Sequence, residues 1–403
     1  MHSAFFPLAL SAYTAVSAIG TGLDATRKAL QDRQGGLRPA EPDDAPARWV
    51  GRVTDIEAVE LPPELARFSC RNNRLAELAL RQDGFAAAVE HARQRFGAGR
   101  VAVILGTSTS GIAETEAAYR RRPKGQTALP DDFDFAATHD LFSLPRFVRA
   151  RLGLSGPAFS ISTACTSGAR AFMEASTMIQ LGLCDAAVVG GVDTLCRMTL
   201  QGFGSLALLS EGPTRPCASD RDGITVGEAA GFALVVAPQH APSGTPVLLG
   251  AGASSDGHHM SSPHPEGLGA VSAMQAALAA SGLEPGQIDY INLHGTGTRA
   301  NDSMEARAVA HLFGREVPCS STKGWTGHTL GASGALEAVI AALSIQDGLM
   351  PGCLGVTEID PEFEIDIVTA NRSAPIRHVL SNSFGFGGSN CSLIIGAPAG
   401  AGA

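Results

Sequence analysis

The chain has 403 residues, 44% hydrophobic and 17% charged, so it can bury a sizeable core and is not a disordered chain. Its 47 glycines and 23 prolines follow no repeat period, which excludes collagen-like and low-complexity architectures. The formal charge of −9 gives no footing to a strongly basic nucleic-acid binder. The eight cysteines, at 70, 165, 184, 196, 217, 319, 353 and 391, contain no C-x-x-C pair; zinc-ribbon and disulfide-scaffold readings fall, and reduced thiols in a cytosolic enzyme fit.

Residues 4–20 are apolar and small, but no Lys or Arg precedes Arg27, and Pro7, Ser11, Tyr13 and Thr14 interrupt the run. This predicts a buried first strand rather than an export signal. No run of about 18 apolar residues exists, so no membrane span is expected. Residues 35–64, rich in Gly, Pro and acid, read as an irregular surface excursion. Residues 75–89 carry helical spacing. Residues 101–105 form an apolar run ending in Gly106-Thr-Ser-Thr-Ser-Gly111, a buried strand entering a small-residue turn.

That pattern recurs. Residues 158–162 read as a strand, followed by a helix carrying Ala169, Phe172, Met173, Ser176 and Ile179 on one face and stopping near Gly182. Residues 186–189 are a buried strand ended by Gly190-Gly191, and residues 288–293 a strand ending in His294-Gly-Thr-Gly-Thr298. Ala335, Leu336, Val339, Ile340 and Leu343 form the apolar face of a helix halted by Gly348 and Pro351; residues 392–395 close the chain as a strand. Alternating strands and helices indicate an α/β architecture with reactive residues just beyond strand ends. No linker separates independent domains, and the residues themselves show no internal repeat.

Cys165, in Ser162-Thr-Ala-Cys165-Thr-Ser-Gly168, falls between a strand and a helix start, where free backbone N–H groups favour a thiolate. A buried small apolar cysteine is the other reading. His294 and His328 each follow a strand and are bracketed by Gly; imidazole N–H can donate to a developing oxyanion. Lys323 could add a positive field. The loop Ser381-Asn-Ser-Phe-Gly-Phe386-Gly-Gly-Ser-Asn390 could supply backbone donors and an apolar wall. Walker A, G-x-G-x-x-G and G-x-S-x-G patterns are missing. His258, His259 and His264 lie in a loop-like segment without H-E-x-x-H spacing, so no metal site is expected there.

In order, Thr163-Ala-Cys165-Thr-Ser-Gly168, Asp220-Arg-Asp-Gly-Ile-Thr-Val-Gly-Glu-Ala-Ala-Gly231, His294-Gly-Thr-Gly-Thr298, residues 323–334 and Asn382-Ser-Phe-Gly-Phe-Gly-Gly-Ser-Asn390 resemble the β-ketoacyl-acyl-carrier-protein synthases over almost the whole chain. The resemblance implies a thiolase-like five-layered αβαβα fold of two duplicated halves, residues 1–240 with the nucleophilic Cys and residues 241–403 with both catalytic His. It implies Cys165 as acyl acceptor, His294 and His328 as the catalytic pair, and Lys323 as the active-site lysine. Phe386 matches the gating Phe whose N–H joins that of Cys165 in the oxyanion hole. Thr296 and Thr298 match the threonines that meet the phosphopantetheine arm. Asn292, Glu305, Glu337, Ser381 and Asn382 match a buried polar cluster that holds a monovalent cation in some members. No resident cofactor is implied, since phosphopantetheine arrives on the acyl carrier protein.

The expected partners are that carrier and a second subunit, in a homodimer or in a heterodimer with a homologous chain, in the cytoplasm. Nucleic acid and membrane are not expected partners. Docking an acidic carrier on a net-negative chain needs a local basic patch; Arg67, Arg71 and Arg74, or Arg120-Arg-Arg122 with Lys124, are candidates. Residues 140–149 do not look like the small-residue stretch of housekeeping members, and Gly297 and Arg299 differ from the common Ser and Pro. Fatty-acid elongation and a type II polyketide or polyene pathway therefore both stand. A non-catalytic partner resembling a chain-length factor and a Cys-dependent thioester hydrolase are the alternatives.

Overall fold

The computed structural model describes residues 5–397. Its strands are β1 (Leu8–Ser17), β2 (Val101–Gly106), β3 (Ala158–Ile161), β4 (Ala186–Asp193), β5 (Ala229–Val236), β6 (Val247–Ser255), β7 (Tyr290–Asn292), β8 (Pro318–Ser320), β9 (Asp366–Ile367), β10 (His378–Gly385) and β11 (Ser389–Gly396). The helices that matter here are α1 (Arg71–Leu80), α2 (Phe85–Phe96), α3 (Ile112–Arg121), α4 (Ser143–Arg151), α5 (Ser167–Gln180), α6 (Arg197–Ser205), α7 (Leu268–Ser281), α8 (Arg299–Phe313) and α9 (Ser333–Asp347). The predicted first strand is present as β1; Ala4 lies outside the described residues.

The strand order runs β3-β2-β4-β5-β1, then β6-β11-β10-β7-β8, with β9 beyond. Read from its outer edge, and with the short β9 set aside, each half orders its own five strands third, second, fourth, fifth, first. The directions repeat as well. The pairs β2–β3 and β2–β4 are parallel, like β7–β8 and β7–β10. The pairs β4–β5 and β1–β5 are antiparallel, like β10–β11 and β6–β11. A duplication that the residues do not display is thus plain in the topology. The two sheets join edge to edge where Leu8 and Ala9 pair with Leu248 and Val247.

Period-two alternation assigns the layers. In β2, Val101, Val103 and Leu105 pack outward under Leu75, Leu80, Val89 and Phe147 of α1, α2 and α4. Ala102 and Ile104 face inward against Phe172 and Ala175 of α5. In the second half Ile291, Leu380 and Ile394 meet Met274 of α7 and Val309 of α8, while Val379, Leu393 and Ile395 face α9. Outer helices, sheet, α5 with α9, sheet, outer helices: the fold is αβαβα.

Three local expectations need correction. The helix predicted over residues 75–89 is two helices, because Asp83 and Gly84 both take left-handed backbone (φ 54° and 68°) and break it. The excursion at 35–64 is not wholly superficial: Val50, Val53 and Ile56 are buried, and Trp49–Gly51 pairs with Val226–Gly227 beside the His328 segment. Finally, α9 has no single apolar face. Residues 333–344 are all buried, including Ala338, Ala341 and Ala342, because the helix lies between two sheets and has no solvent side.

Candidate active site

Three turns at strand ends build the site. Between β3 and α5, Ala164 adopts left-handed backbone (φ 52°), a conformation costing roughly 1–2 kcal/mol for a residue with a Cβ. The Ser167 hydroxyl holds the bend: it accepts from the Thr163 N–H (2.9 Å) and donates to the Ala164 carbonyl (2.6 Å). Cys165 is thereby set at the start of α5, buried but on the wall of a pocket.

Just past β7, the backbone N–H groups of His294 and Gly295 both donate to Glu305 of α8, each at 2.8 Å. Gly297, at φ 83°, has no room for a side chain: a Cβ would lie 2.2 Å from Thr214 Oγ1, whose hydroxyl donates to the Gly223 and Thr296 carbonyls. That explains glycine at 297. His328 follows the short helix Lys323–Thr326. Its N–H donates to the Thr225 carbonyl (2.7 Å) and its carbonyl accepts from the Gly227 N–H (2.9 Å).

These turns bring the predicted groups together. The reactive atoms of Cys165, His294 and His328 lie within 4.8 Å of one another. His328 Nε2 is 3.1 Å from Cys165 Sγ, and the two imidazoles meet edge to face with centroids 5.2 Å apart. The Leu330 N–H donates to His328 Nδ1 at 3.2 Å. A nitrogen that accepts carries no proton, so in the neutral ring the proton sits on Nε2 and points at the sulfur. Burial, and next the positive charge of Lys323, hold both imidazoles well below the usual histidine range, with His328 adding to the effect on His294. Both rings are neutral donors at ordinary pH.

The thiolate expected at Cys165 is corrected for the resting enzyme. Burial pushes its thiol up to about 11, against the opposing pull of Lys323 and the Phe386 N–H. In an enclosed site desolvation outweighs those groups. Lys323 itself is buried, and its Nζ donates to Glu337 Oε1 at 2.5 Å. It acts on the site by its field rather than by contact.

The pocket of about 720 Å³ is lined by Cys165, His294, His328, Thr296, Thr298 and Phe386 among others. Phe386 is partly exposed and packs edge to face on Phe203 (5.7 Å), while Phe384 backs His294 (6.0 Å). The Thr296 and Thr298 hydroxyls are 2.9 Å apart. Asn292, Glu305, Glu337, Ser381 and Asn382 are all buried around the second half of the site. Asn292 and Ser381 are neighbours across β7 and β10, and the Asn382 amide donates to Glu305 (3.1 Å). Burial raises Glu305 to about 7. Both side-chain polar atoms of Asn292 and Glu337 Oε2 lack a hydrogen-bond partner.

The basic clusters divide. Arg71 is drawn inward onto buried Glu228, with Nη2–Oε1 at 2.5 Å, and Arg74 is held on Ser69, so residues 67, 71 and 74 do not form a free patch. Arg120, Arg121, Arg122 and Lys124 are all exposed, with Arg121 on Asp132.

Sequence reasoning missed two buried acids. Glu228 accepts from the Val53 and Leu195 N–H groups as well as Arg71. Asp193, the last residue of β4, gathers the turn after β2 and the turn after His328. Glu228 lies within the quoted segment 220–231 but was not singled out there; for Asp193 the one available signal was an acid at the end of an apolar strand.

The family described as Beta-ketoacyl synthase, N-terminal domain, matches residues 3–241, and Beta-ketoacyl synthase, C-terminal domain, matches residues 246–357. The 3-oxoacyl-[acyl-carrier-protein] synthase 2 of Rhizobium meliloti (strain 1021) is 38% identical over 310 residues, 73% of this chain and 73% of the relative. That of Vibrio harveyi is 32% identical over 408 residues, 94% of this chain and 95% of the relative. Among solved structures, the ketosynthase ApeO of Xenorhabdus doucetiae, in complex with its chain length factor ApeC, has a TM-score of 0.89 at 39% identity, covering 97% of this chain and 98% of that one. With the nucleophile turn and both imidazole turns set at the strand ends of a duplicated αβαβα fold, the chain belongs to the β-ketoacyl synthase family, acyl-transferring condensing enzymes of the thiolase fold.

Proposed function

We propose that this enzyme elongates an acyl chain on an acyl carrier protein by decarboxylative Claisen condensation with malonyl-carrier, giving β-ketoacyl-carrier and carbon dioxide. The observation that carries the reading is the meeting of Cys165 Sγ with two neutral imidazoles, within 4.8 Å, on one pocket wall.

In the first half-reaction Cys165 Sγ attacks the acyl thioester carbonyl. The N–H groups of Cys165 and Phe386 take the oxyanion, each such donor contributing on the order of 3 kcal/mol. The carrier's thiol leaves with the proton that Cys165 gives up. In the second, the malonyl thioester carbonyl accepts from His294 and from His328 Nε2–H. The electron pair of the breaking carbon–carboxylate bond is then held as an enolate, carbon dioxide leaves, and the enolate carbon attacks the acyl-Cys165 carbonyl. Collapse of that adduct breaks the carbon–sulfur bond and releases Cys165 Sγ as a thiolate, which takes up a proton from solvent to restore the thiol. Neutral rings suit this work, because they donate without first having to lose a proton. Seating both partners in one pocket makes the condensation effectively unimolecular.

The reading assigns Thr296 and Thr298 to the phosphopantetheine arm and requires no resident cofactor. The unpartnered Asn292 and Glu337 oxygens suit a monovalent cation that prefers oxygen ligands, held with Glu305, Ser381 and Asn382. Residues 1–240 and 241–403 are taken as the two halves. The carrier docks on the exposed basic run at 120–124, and the enzyme works in the cytoplasm. Likeness to a ketosynthase in complex with its chain length factor supports a heterodimer with a homologous subunit over a homodimer. Likeness to 3-oxoacyl-[acyl-carrier-protein] synthases keeps fatty-acid elongation beside the polyketide or polyene pathway. Retention of Cys165, His294, Lys323 and His328 in one site argues against the role of a non-catalytic partner.

Intact-mass analysis after offering acyl-carriers of varied length and unsaturation tests the reading. One acyl group per chain is expected on Cys165, and none on Cys165→Ala, which also loses condensation. Absence of label on the wild type favours the partner role; free acid without carbon dioxide from malonyl-carrier favours hydrolysis. Cys165→Gln is expected to stop acyl transfer while malonyl decarboxylation continues.

A further inference from the structure

The condensation chemistry leaves the buried acid Asp193 without a task. Asp193 is fully buried, and every group that meets it is a donor. Oδ1 accepts from Thr107 Oγ1 (2.7 Å), the Ser108 and Thr109 N–H groups (2.8 and 2.9 Å) and Thr109 Oγ1 (2.8 Å). Oδ2 accepts from Ser108 Oγ (2.5 Å), the Ser108 N–H (3.0 Å) and the Gly331 N–H (2.6 Å). So dense a set of bonds from two distant turns is more than closing a strand end requires.

The Gly331 bond leads directly to the catalytic imidazole. Leu330 has left-handed backbone (φ 56°), which a leucine does not adopt unless its surroundings impose it. Its N–H is the donor to His328 Nδ1. Ser333 Oγ also lies 3.1 Å from Nδ1, but a hydroxyl can donate or accept, whereas a backbone N–H can only donate. The Leu330 amide therefore decides the tautomer. Gly331 is gripped from the other side too: a Cβ on Gly168 of the nucleophile helix would meet the Gly331 carbonyl at 2.8 Å, and one on Gly331 would meet Asp193 Oδ2 at 2.7 Å.

We propose that Asp193 is a positioning residue for His328: by holding the Gly331 amide it keeps the strained Leu330 turn in place, so that His328 presents Nε2–H, not a bare nitrogen, to the pocket. The effect of its charge on the nucleophile agrees. Asp193 opposes ionisation of Cys165, so it is not placed there to activate the sulfur. This inference rests on the decarboxylative reading above.

The test is a double-mutant cycle on the full-length enzyme, read as carbon dioxide release from malonyl-carrier. In Asp193→Asn a single acceptor oxygen replaces two. The crowded Oδ1 site takes it, and the amide NH2 is turned on the Gly331 N–H. We expect kcat to fall on the order of 100-fold, the scale of losing one oxyanion donor, with KM changed less than about threefold. In a His328→Ala background the same substitution should cost less than about threefold, since the imidazole it positions is gone. Equal losses in both backgrounds, or no loss in the wild-type background, overturn the proposal. A second measurement needs no variant: histidine ¹⁵N resonances of the wild-type enzyme should show His328 in the Nε2–H tautomer across neutral pH, and an Nδ1–H tautomer overturns the proposal whether or not Asp193→Asn folds. Failure of the underlying reading is distinct from either result, because a wild-type enzyme that releases no carbon dioxide sinks the condensation and leaves the tautomer as measured.

Discussion

Cys165 sits between opposed influences. Burial favours its thiol, while the Lys323 charge and the Phe386 N–H favour its anion, and burial prevails. The sign of the pH dependence follows: the thiolate fraction grows as pH rises toward about 11. Iodoacetamide labelling of Cys165, followed by intact mass, should accelerate from about pH 7 to about pH 10 without levelling off. A plateau below about pH 8 would contradict the resting thiol. Lys323→Met, lacking the charge that favours the anion, should label more slowly at every pH. The same substitution leaves Glu337 buried without its cation, an arrangement that costs about 3–5 kcal/mol. Urea unfolding should show that loss, and adding Glu337→Gln should restore most of it.

At the scale of elements, the site depends on close backbone approach. The start of α5 lies against both the end of β2 and the turn after His328: a Cβ on Gly106 would be 2.4 Å from the Gly168 nitrogen, and one on Gly168 would be 2.8 Å from the Gly331 oxygen. Gly168→Ala should therefore separate the nucleophile helix from the imidazole turn. Overpacking of this kind costs about 1–3 kcal/mol, visible as a lower urea midpoint, and condensation should fall by more than the fraction unfolded explains. Unchanged kinetics would mean that the two turns move independently. A substitution at exposed Gly202 of α6, where no atom lies within 4 Å of an added Cβ, serves as the control.

For the molecule as a whole, α5 and α9 form one inner layer between the sheets, in which residues 333–344 of α9 are wholly buried. Phe172 and Ala175 belong to one half, Leu336, Val339 and Ile340 to the other, and all share one apolar cluster. Burial on this scale is the main favourable term in folding, so neither half has a finished core alone. Residues 1–240 expressed by themselves should aggregate or lack a cooperative melt, and co-expression with residues 241–403 should restore both solubility and the transition. A sharp thermal transition in the isolated first half would show that its inner layer closes without the second.

Cys165, His294, His328 and Lys323 were legible in the sequence because chemistry at a strand end leaves local marks: an apolar run, a reactive residue, glycines where backbone must pass closely. The α/β class was legible for the same reason, since strand and helix periodicities are local. Relations between distant segments were not. Asp193 and Gly331 are 138 residues apart and Glu228 and Arg71 157 apart, so no spacing could pair them, and Arg71 looked like a free surface charge. The duplicated strand order, the burial of α9 on every side and the tautomer of His328 arise only when the two sheets close on a shared helix layer. A hydrogen bond or a desolvated thiol belongs to a place in space, and that place exists only in the folded chain.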